Sequence, residues 1–418
     1  MSIGFRFNED KSINRHFYLF LIFFLVSISD ATSISIGSGN IRIAWIILPF
    51  LAFFLPKHKD DVGSLLFSFT LFAIHIISSA YNDILISGSI FSFWIIFNYF
   101  FFFRSGYIAA KIMGDKIWDA ILILGRLQII IGCALKFAGI HERTQFTYYE
   151  PSYLAIGITP YILCAVFWSQ RKLLDYLLIA ILLITSQSAN LAIAISLTAV
   201  CYLIFSRKFA ITAAIALLAP TLIYLSYWII LQSPENPNYG LANWINQNGI
   251  GTELIFEVLR RAGNRVPRIE AALEILNENW WLGVGPGKYI GLTSNRNFDH
   301  LTDGITYYDP SGLPAINIII ESMINSGVAG AIIILAYSGY VFYRVQKTEN
   351  GNERHLMLGS LIVLFTMLQI ESSYLRAYVW LTLGVFLART PSSRALSNNL
   401  SLEPTPKTDN TKNYESNS

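Results

Sequence analysis

Long apolar runs, separated by short polar connections, make up most of this sequence. A helix needs about 20 consecutive apolar residues to cross the hydrocarbon core of a bilayer, and many of these runs approach or exceed that length. In lipid, only helices and closed barrels satisfy all of their backbone polar groups. Because the runs are continuous rather than alternating, the sequence predicts an all-α fold, a polytopic bundle of transmembrane helices.

The composition supports a membrane protein and gives little sign of other classes. Of the 418 residues, 54% are hydrophobic and only 14% are charged, and the formal charge of +3 does not indicate a nucleic-acid partner. The three cysteines lie within apolar runs and have neither disulfide nor metal-ligand spacing. The polar N-terminal segment is too long for a cleaved signal peptide. We therefore expect no metal and no cofactor, with the lipid bilayer as a partner.

The runs predict about twelve spans. They lie near 17–34, 41–56, 63–80, 87–103, 117–137, 152–168, 173–188, 190–206, 209–231, 315–342, 356–371 and 374–388. This gives a cytoplasmic N-terminus (1–16), nine spans in 17–231, a large periplasmic loop (232–314), three spans in 315–390, and a tail (391–418) whose low apolar content predicts disorder.

Lys and Arg residues predict the orientation. If both ends of the chain are cytoplasmic, the inner loops carry most of the cations and the short outer loops carry only Arg42, Lys136, Arg143 and Arg376. The large loop is then outside, and it contains Arg260, Arg261, Arg265, Arg268, Lys288 and Arg296. Cations gathered there suggest an anionic partner on that side.

The most organised polar segment is "RVPRIEAALEILNENWWLGVGPGKY", residues 265–289. Apolar residues at helical spacing, Ile269, Ala272, Leu273 and Leu276, predict an amphipathic helix over 267–279. The glycines at 283, 285 and 287 predict a tight turn with positive φ that a ligand could approach closely. A capped helix and a turn at the membrane surface would explain the same residues without any function.

This block and the following "INIIIESMINSGVAGAIIILAY" resemble the O-antigen polymerase and O-antigen ligase superfamily, in which such a block forms the large periplasmic loop and the next helix. A second match is "RTQFTYYEPSYLA" at 143–155, and a weaker one is "LLITSQSANLAIAI", where Gln187 replaces the arginine usual in the family. Ligases commonly have a His-Asn pair where this chain has Ile316-Asn317, so the departure favours a polymerase.

The resemblance implies an enzyme that polymerises oligosaccharide repeat units carried on undecaprenyl diphosphate, on the periplasmic face of the bacterial inner membrane, with a chain-length regulator as a further partner. Negative charge develops on the departing diphosphate, and cations stabilise it. Arginine can bind phosphate oxygens with two parallel hydrogen bonds. The candidate catalytic residues are Arg143, Glu150, Arg268 and His300. The candidate substrate-binding residues are Arg126, Arg265, Gly283, Gly285, Gly287, Lys288, Tyr289 and Asn317. Glu150 and His300 are the two candidates for a general base.

Other interpretations stay open. Arg265 and Arg268 could pair with Glu270 and Glu274 as ordinary loop charges. Arg126 lies inside the fifth span, where a charge is costly, and could pair with Glu321 or Glu371 or bind a lipid phosphate. Within the family, the alternative function is an O-antigen ligase that transfers glycan to lipid A-core. A polysaccharide flippase is the alternative from another class, although we find no paired, Gly/Pro-broken spans.

Overall fold

The structure is a computed structural model, and it describes residues 11–28, 33–36, 39–42, 59, 61–146, 148, 151–206, 239–251, 253, 265–302, 309–371 and 374–391. The first half contains α1 (Lys11–Ser27), β1 (Ser33–Ile36), β2 (Gly39–Arg42), α2 (Val62–Tyr81), α3 (Leu85–Phe97), a π-helix (Asn98–Phe103), α4 (Arg104–Met113), α5 (Lys116–Phe137), α6 (Pro151–Phe167), α7 (Lys172–Ser186) and α8 (Ala189–Ser206). The second half contains α9 (Tyr239–Asn248), α10 (Arg265–Glu278), α11 (Tyr289–Ser294), α12 (Asp299–Thr302), α13 (Ile318–Gln346), α14 (Gly351–Ile370) and α15 (Ala377–Ala388).

The chain is a helical membrane protein. Within the described residues, five helices are long and apolar enough to cross a bilayer: Val62–Tyr81, Leu85–Met113, Lys116–Phe137, Ile318–Gln346 and Gly351–Ile370. Shorter apolar helices cover Phe17–Ser27, Pro151–Phe167, Ala189–Phe205 and Ala377–Ala388. The predicted span at 209–231, nearly all of the one at 41–56, and the tail from residue 392 lie outside the described residues. The count of twelve stays a prediction.

The first span differs from its prediction. It was expected to reach residue 34, but α1 ends at Ser27, and residues 33–36 pair antiparallel with residues 39–42. The register places Ser33 opposite Arg42 and Ile36 opposite Gly39. The physical reason is local, because Ser-Ile-Ser-Ile alternates with the period of a strand and the next two residues, Gly37 and Ser38, suit a tight turn.

Small residues allow the helices of the bundle to approach closely. A Cβ atom at Gly106 on α4 would overlap the Leu381 carbonyl of α15, and one at Gly384 on α15 would overlap the Phe103 carbonyl. Such contacts between small residues are a main source of helix association in lipid, where burial of apolar surface gives little driving force. The last helix is thereby fixed against the π-helix and α4.

The contacts that α2 makes where it begins and where it ends mark the two ends of the bundle. Where α2 begins, the Asp61 carboxylate lies 3.1 Å from Arg344, near the end of α13. Where α2 ends, Ser78 and Asn82 donate to the carbonyls of Leu282 and Gly283, which precede α13. Because α2 has 20 residues and is about 30 Å long, these contacts mark opposite ends, which we call the Arg344 end and the loop end.

Helix α13 is broken near its first third, and the glycine-rich turn fills the break. Ser326 has φ −155° and ψ 22°, and Gly327 has φ 67° and ψ −164°, so the regular helical hydrogen bonds fail there. The turn replaces them, because Val284 N donates to Ile324 O (2.8 Å) and Val328 N donates to Trp280 O (3.2 Å). The segment before the span is thus bonded into the span itself.

We expect Gly327→Ala to destabilise the folded protein by at least about 1–3 kcal/mol, since positive φ strains alanine and its Cβ would overlap the Trp281 carbonyl. Thermal unfolding of the detergent-solubilised protein measures the loss. Gly339→Ala, on the same helix with no atom within 4 Å of the added methyl, is the matched control and should be neutral or stabilising by up to about 1 kcal/mol. Equal stability of the two variants would refute the interlocked turn.

Candidate functional site

Helix α10 brings the loop arginines to the bundle. It spans 265–278, within two residues of its predicted start, and buries Ala271, Ala272, Ile275 and Leu276. Ala272, Ile275 and Leu276 form a small apolar cluster with residues beyond the helix, namely Val284, Tyr289, Ala315 and Ile324. The predicted apolar face was therefore only partly right, because Leu273 is 46% exposed. The burial fixes α10 on the loop end of α13 and places its first turn beside the entry of that span.

The two arginines of this first turn have partners far away in the sequence. Arg265 pairs with the Glu371 carboxylate at 3.3 Å, and Arg268 donates through Nε to Pro314 O at 2.8 Å. The proposed pairs with Glu270 and Glu274 do not form. Burial lowers the pKa of Arg268, and the nearby Glu371 charge opposes this shift. The Arg268 guanidinium nevertheless stays charged at neutral pH, because the ordinary pKa of arginine lies far above neutrality.

A third arginine completes the group, and the sequence had indicated it only as an outer-loop cation. Arg376, just before α15, lies over the Tyr153 ring, with its guanidinium carbon 4.2 Å from the ring centroid. Tyr153 belongs to the 143–155 motif at the start of α6. Electrostatic neighbours of Arg268 also include Tyr153. We call Arg265, Arg268 and Arg376 the arginine cluster.

Two carboxylates lie in this cluster. Glu371, at the end of α14, is the partner of Arg265. Glu321, in the first turn of α13, has Arg376 and Arg268 as its cationic neighbours. Among the described residues, three guanidiniums and two carboxylates thus meet at this end of the bundle. No sequence pattern singled out Glu321 as part of a site, and its position one turn after the N-cap of a span was the only available signal.

The glycine-rich turn attaches the loop to the bundle. Gly283, Gly285 and Gly287 have φ values of 66°, 94° and 79°, as their pattern predicted. The atoms that approach them are those of the protein: an added Cβ would meet the Ile324 carbonyl at Gly283, Ile84 at Gly285 and Phe91 at Gly287. The structure thus accounts for the first two glycines by close packing.

Lys288 and Tyr289 continue this attachment. The Lys288 ammonium donates to Asn82 O at 3.3 Å, and the Tyr289 hydroxyl donates to Arg268 O at 3.5 Å. Burial raises the pKa of Tyr289 to about 12. Tyr289 therefore contacts the arginine-bearing helix, whereas Lys288 attaches the turn to the end of α2, and neither is in the arginine cluster itself.

Asn317 caps α13, with its side-chain oxygen accepting from Ile319 N at 2.9 Å and Ile320 N at 3.2 Å. Ile316, which takes the place of the ligase histidine, is buried at 2% exposure. His300 belongs to α12 and lies against α10. Its side chain is 57% exposed, and its Nε2 lies 2.7 Å from the Glu274 carboxylate of α10. The structure therefore gives His300 a surface partner and leaves it outside the arginine cluster.

The other two motif segments meet at the loop end. Thr144, next to the exposed Arg143, donates through its backbone N–H to Thr185 O at 3.2 Å. The Ser188 hydroxyl donates to Pro151 O at 3.5 Å, and Gln187 ends α7 with a φ of 51°. Through Tyr153 this pair of segments joins the arginine cluster. Glu150, Tyr149, Tyr307 and Tyr308 lie outside the described residues.

Arg126 belongs to a different network, so the predicted pairing with Glu321 or Glu371 is wrong. Its guanidinium binds Asp175 with two hydrogen bonds of 2.8 and 3.0 Å. The same carboxylate accepts from Tyr161 at 3.0 Å and Ser169 at 2.5 Å. The reason is proximity inside the bundle, where α5, α6 and α7 pack together and Asp175 is fully buried. This pairing explains Arg126 as a structural residue.

An apolar cavity lies between α13, α14 and α15. Its volume is about 70 Å³, and its lining includes Ile318 and Tyr374 at the loop end and Val341 deeper in the bundle. The Tyr374 hydroxyl accepts a hydrogen bond from the Asn325 amide, and Asn325 lies one helical turn after Glu321 on α13. Ile318 and Tyr374 are close in sequence to Glu321 and Arg376, so this end of the apolar cavity lies towards the loop end of the bundle. Among the described residues no group of three or more His, Cys, Asp or Glu side chains could hold a metal ion.

No protein-family model matches the chain, and no curated protein matches it.

If Arg126 is structural, Arg126→Leu should lower the free energy of unfolding by about 3–5 kcal/mol, because it leaves the buried Asp175 carboxylate without its cation. The double variant Arg126→Leu/Asp175→Leu should recover part of that loss, because no unpaired charge is left. Unfolding of the purified protein in lipid or detergent measures both. A stable Arg126→Leu protein would return Arg126 to the candidate substrate-binding residues.

Proposed function

We propose that the chain is a membrane glycosyltransferase that polymerises undecaprenyl-diphosphate-linked oligosaccharide repeat units on the periplasmic face of the bacterial inner membrane, with about twelve spans. The observation that carries the proposal is the arginine cluster at the loop end of the bundle, together with an apolar cavity whose lining includes Ile318 and Tyr374 at the same end. It supports a substrate that combines a polyanionic head with an isoprenoid tail. The resemblance of three segments to O-antigen polymerases is the reason for proposing that this lipid carries a glycan.

The chemistry follows from the charge that develops on the leaving group. When the anomeric carbon leaves the diphosphate oxygen, negative charge grows on that oxygen. Arg268 and Arg376 lie on different elements that are both fixed by packing, so their guanidiniums are oriented before the substrate arrives. Preorganised cationic donors of this kind lower the barrier without reorganising during the reaction. Arg265, already paired with Glu371, contributes less free charge.

The residue at position 316 favours polymerisation over ligation to lipid A-core. Where ligases commonly carry the histidine thought to activate the acceptor, this chain has Ile316, whose apolar side chain is buried. A flippase, the candidate from the other class, would not need guanidiniums concentrated at one end of the bundle.

Arg268→Ala and Arg143→Ala should abolish glycan extension while the protein still accumulates in the membrane, because each removes a cation proposed to act on the diphosphate. Gel analysis of surface glycan in a deletion strain complemented with each variant measures extension as a ladder. Arg296→Ala is the matched control, since Arg296 pairs with the exposed Glu278 at 2.6 Å on the loop surface, and its ladder should be normal.

The same gels separate the alternatives. Loss of a polymerase leaves single repeat units on lipid A-core, whereas loss of a ligase leaves long glycan on the carrier lipid. Normal ladders from both Arg268→Ala and Arg143→Ala would remove these arginines from the mechanism. His300→Ala should keep full activity, because His300 is exposed and bonded to Glu274, and a strong loss would instead restore it as a candidate base.

The proposed orientation is tested by cysteine labelling. The three native cysteines are buried, so single substitutions at exposed positions report on each end. Asn277→Cys on α10 should react with a membrane-impermeant maleimide in cells whose outer membrane alone is permeabilised. Glu349→Cys, beyond the end of α13, should react only after the inner membrane is opened. The reverse pattern would place the arginine cluster in the cytosol and end the proposal.

A further inference from the structure

Glu321 is the carboxylate of the cluster that has a shielded oxygen without a hydrogen-bond partner among the described residues. Its Oε2 atom is shielded from solvent and accepts no hydrogen bond from any residue that the structure describes. Glu371 differs, because its carboxylate accepts from Arg265. A shielded carboxylate oxygen without a donor costs free energy, and folded proteins retain few such atoms. This oxygen is therefore an acceptor at the site for which the described residues supply no donor.

The surroundings of Glu321 place it next to the reacting groups. The charges of Arg376 and Arg268 both act electrostatically on this carboxylate. One helical turn further along α13, the Asn325 amide donates to the Tyr374 hydroxyl at 2.8 Å. This bond pairs Asn325 and Tyr374 with each other, whereas Oε2 of Glu321 still has no donor among the described residues.

We propose that Glu321 is the general base that accepts the proton of the acceptor hydroxyl, an inference that rests on the proposed function. The acceptor sugar O–H gives its proton to the Glu321 carboxylate while its oxygen forms a bond to the anomeric carbon of the donor. The bond between that carbon and the diphosphate oxygen breaks, and its electron pair leaves with the diphosphate, beside Arg268 and Arg376. The products are the extended glycan and undecaprenyl diphosphate.

The two bases considered from the sequence fit less well. His300 is exposed, and its Nε2 is engaged by Glu274. Glu150 lies outside the described residues. Glu321 alone among the described carboxylates combines a shielded, unpartnered oxygen with two neighbouring arginines. A base in that position is shielded from bulk water and lies where the leaving group is held.

The test separates binding from chemistry. Glu321→Gln keeps the shape of the side chain and removes the base, so membranes with this variant should show a loss of extension of about 100-fold or more. Binding of undecaprenyl diphosphate to the full-length, detergent-solubilised protein should change by less than about threefold, since the arginines are intact. Glu321→Asp should retain measurable extension. The control Glu270→Gln, on the exposed face of α10, should match the wild type in both assays.

Two results would overturn the assignment. A normal ladder from Glu321→Gln would show that another group takes the proton. Loss of binding together with loss of thermal stability in Glu321→Gln would show that Glu321 only positions the arginines. Failure of the proposed function gives a different result, because the wild-type protein would then not bind undecaprenyl diphosphate and its deletion would leave the glycan ladder unchanged.

Discussion

The site depends on the break in α13 at Ser326 and Gly327, which a transmembrane helix can tolerate only if its freed backbone groups find partners. The turn at 280–284 supplies both an acceptor and a donor, through Trp280 O and Val284 N. In lipid each unsatisfied group would cost several kcal/mol, so the turn and the span must fold together. Helix α10 directly precedes this turn and is thereby held over the entry of α13, where the charge of Arg268 acts on Glu321.

The two ends of the bundle differ in how their buried carboxylates are hydrogen-bonded. At the Arg344 end, Asp61 accepts from Arg344 and Tyr340, and Glu353 binds Arg389 at 2.5 Å. These carboxylates have direct partners, which is how buried charges contribute to structure. At the loop end, Glu321 keeps a shielded oxygen without a donor, and Arg376 has an aromatic face beneath it. Among the described residues, Glu321 is the carboxylate with a shielded oxygen that has no donor, and this is the physical argument for a binding site at the loop end.

Sequence patterns predicted the local features and missed the long-range ones. Apolar runs predicted the helices, and the three glycines predicted positive φ, because hydropathy and backbone strain are properties of neighbouring residues. The partner of Arg126 was predicted incorrectly, since Asp175 is 49 positions away and three helices must pack before the pair exists. Arg265 and Glu371 are separated by 106 positions. Arg376 and Glu321 became site candidates only when the folded chain placed them beside Arg268.

The account rests on guanidiniums at the loop end receiving a lipid diphosphate. The most direct measurement is a cryo-electron-microscopy structure of the full-length protein in a lipid bilayer, with undecaprenyl diphosphate added. We expect diphosphate density within hydrogen-bonding distance of Arg268 and Arg376, with the isoprenoid chain entering the cavity beside Tyr374. Density for the diphosphate at the Arg344 end, or none anywhere at saturating lipid, would contradict the account.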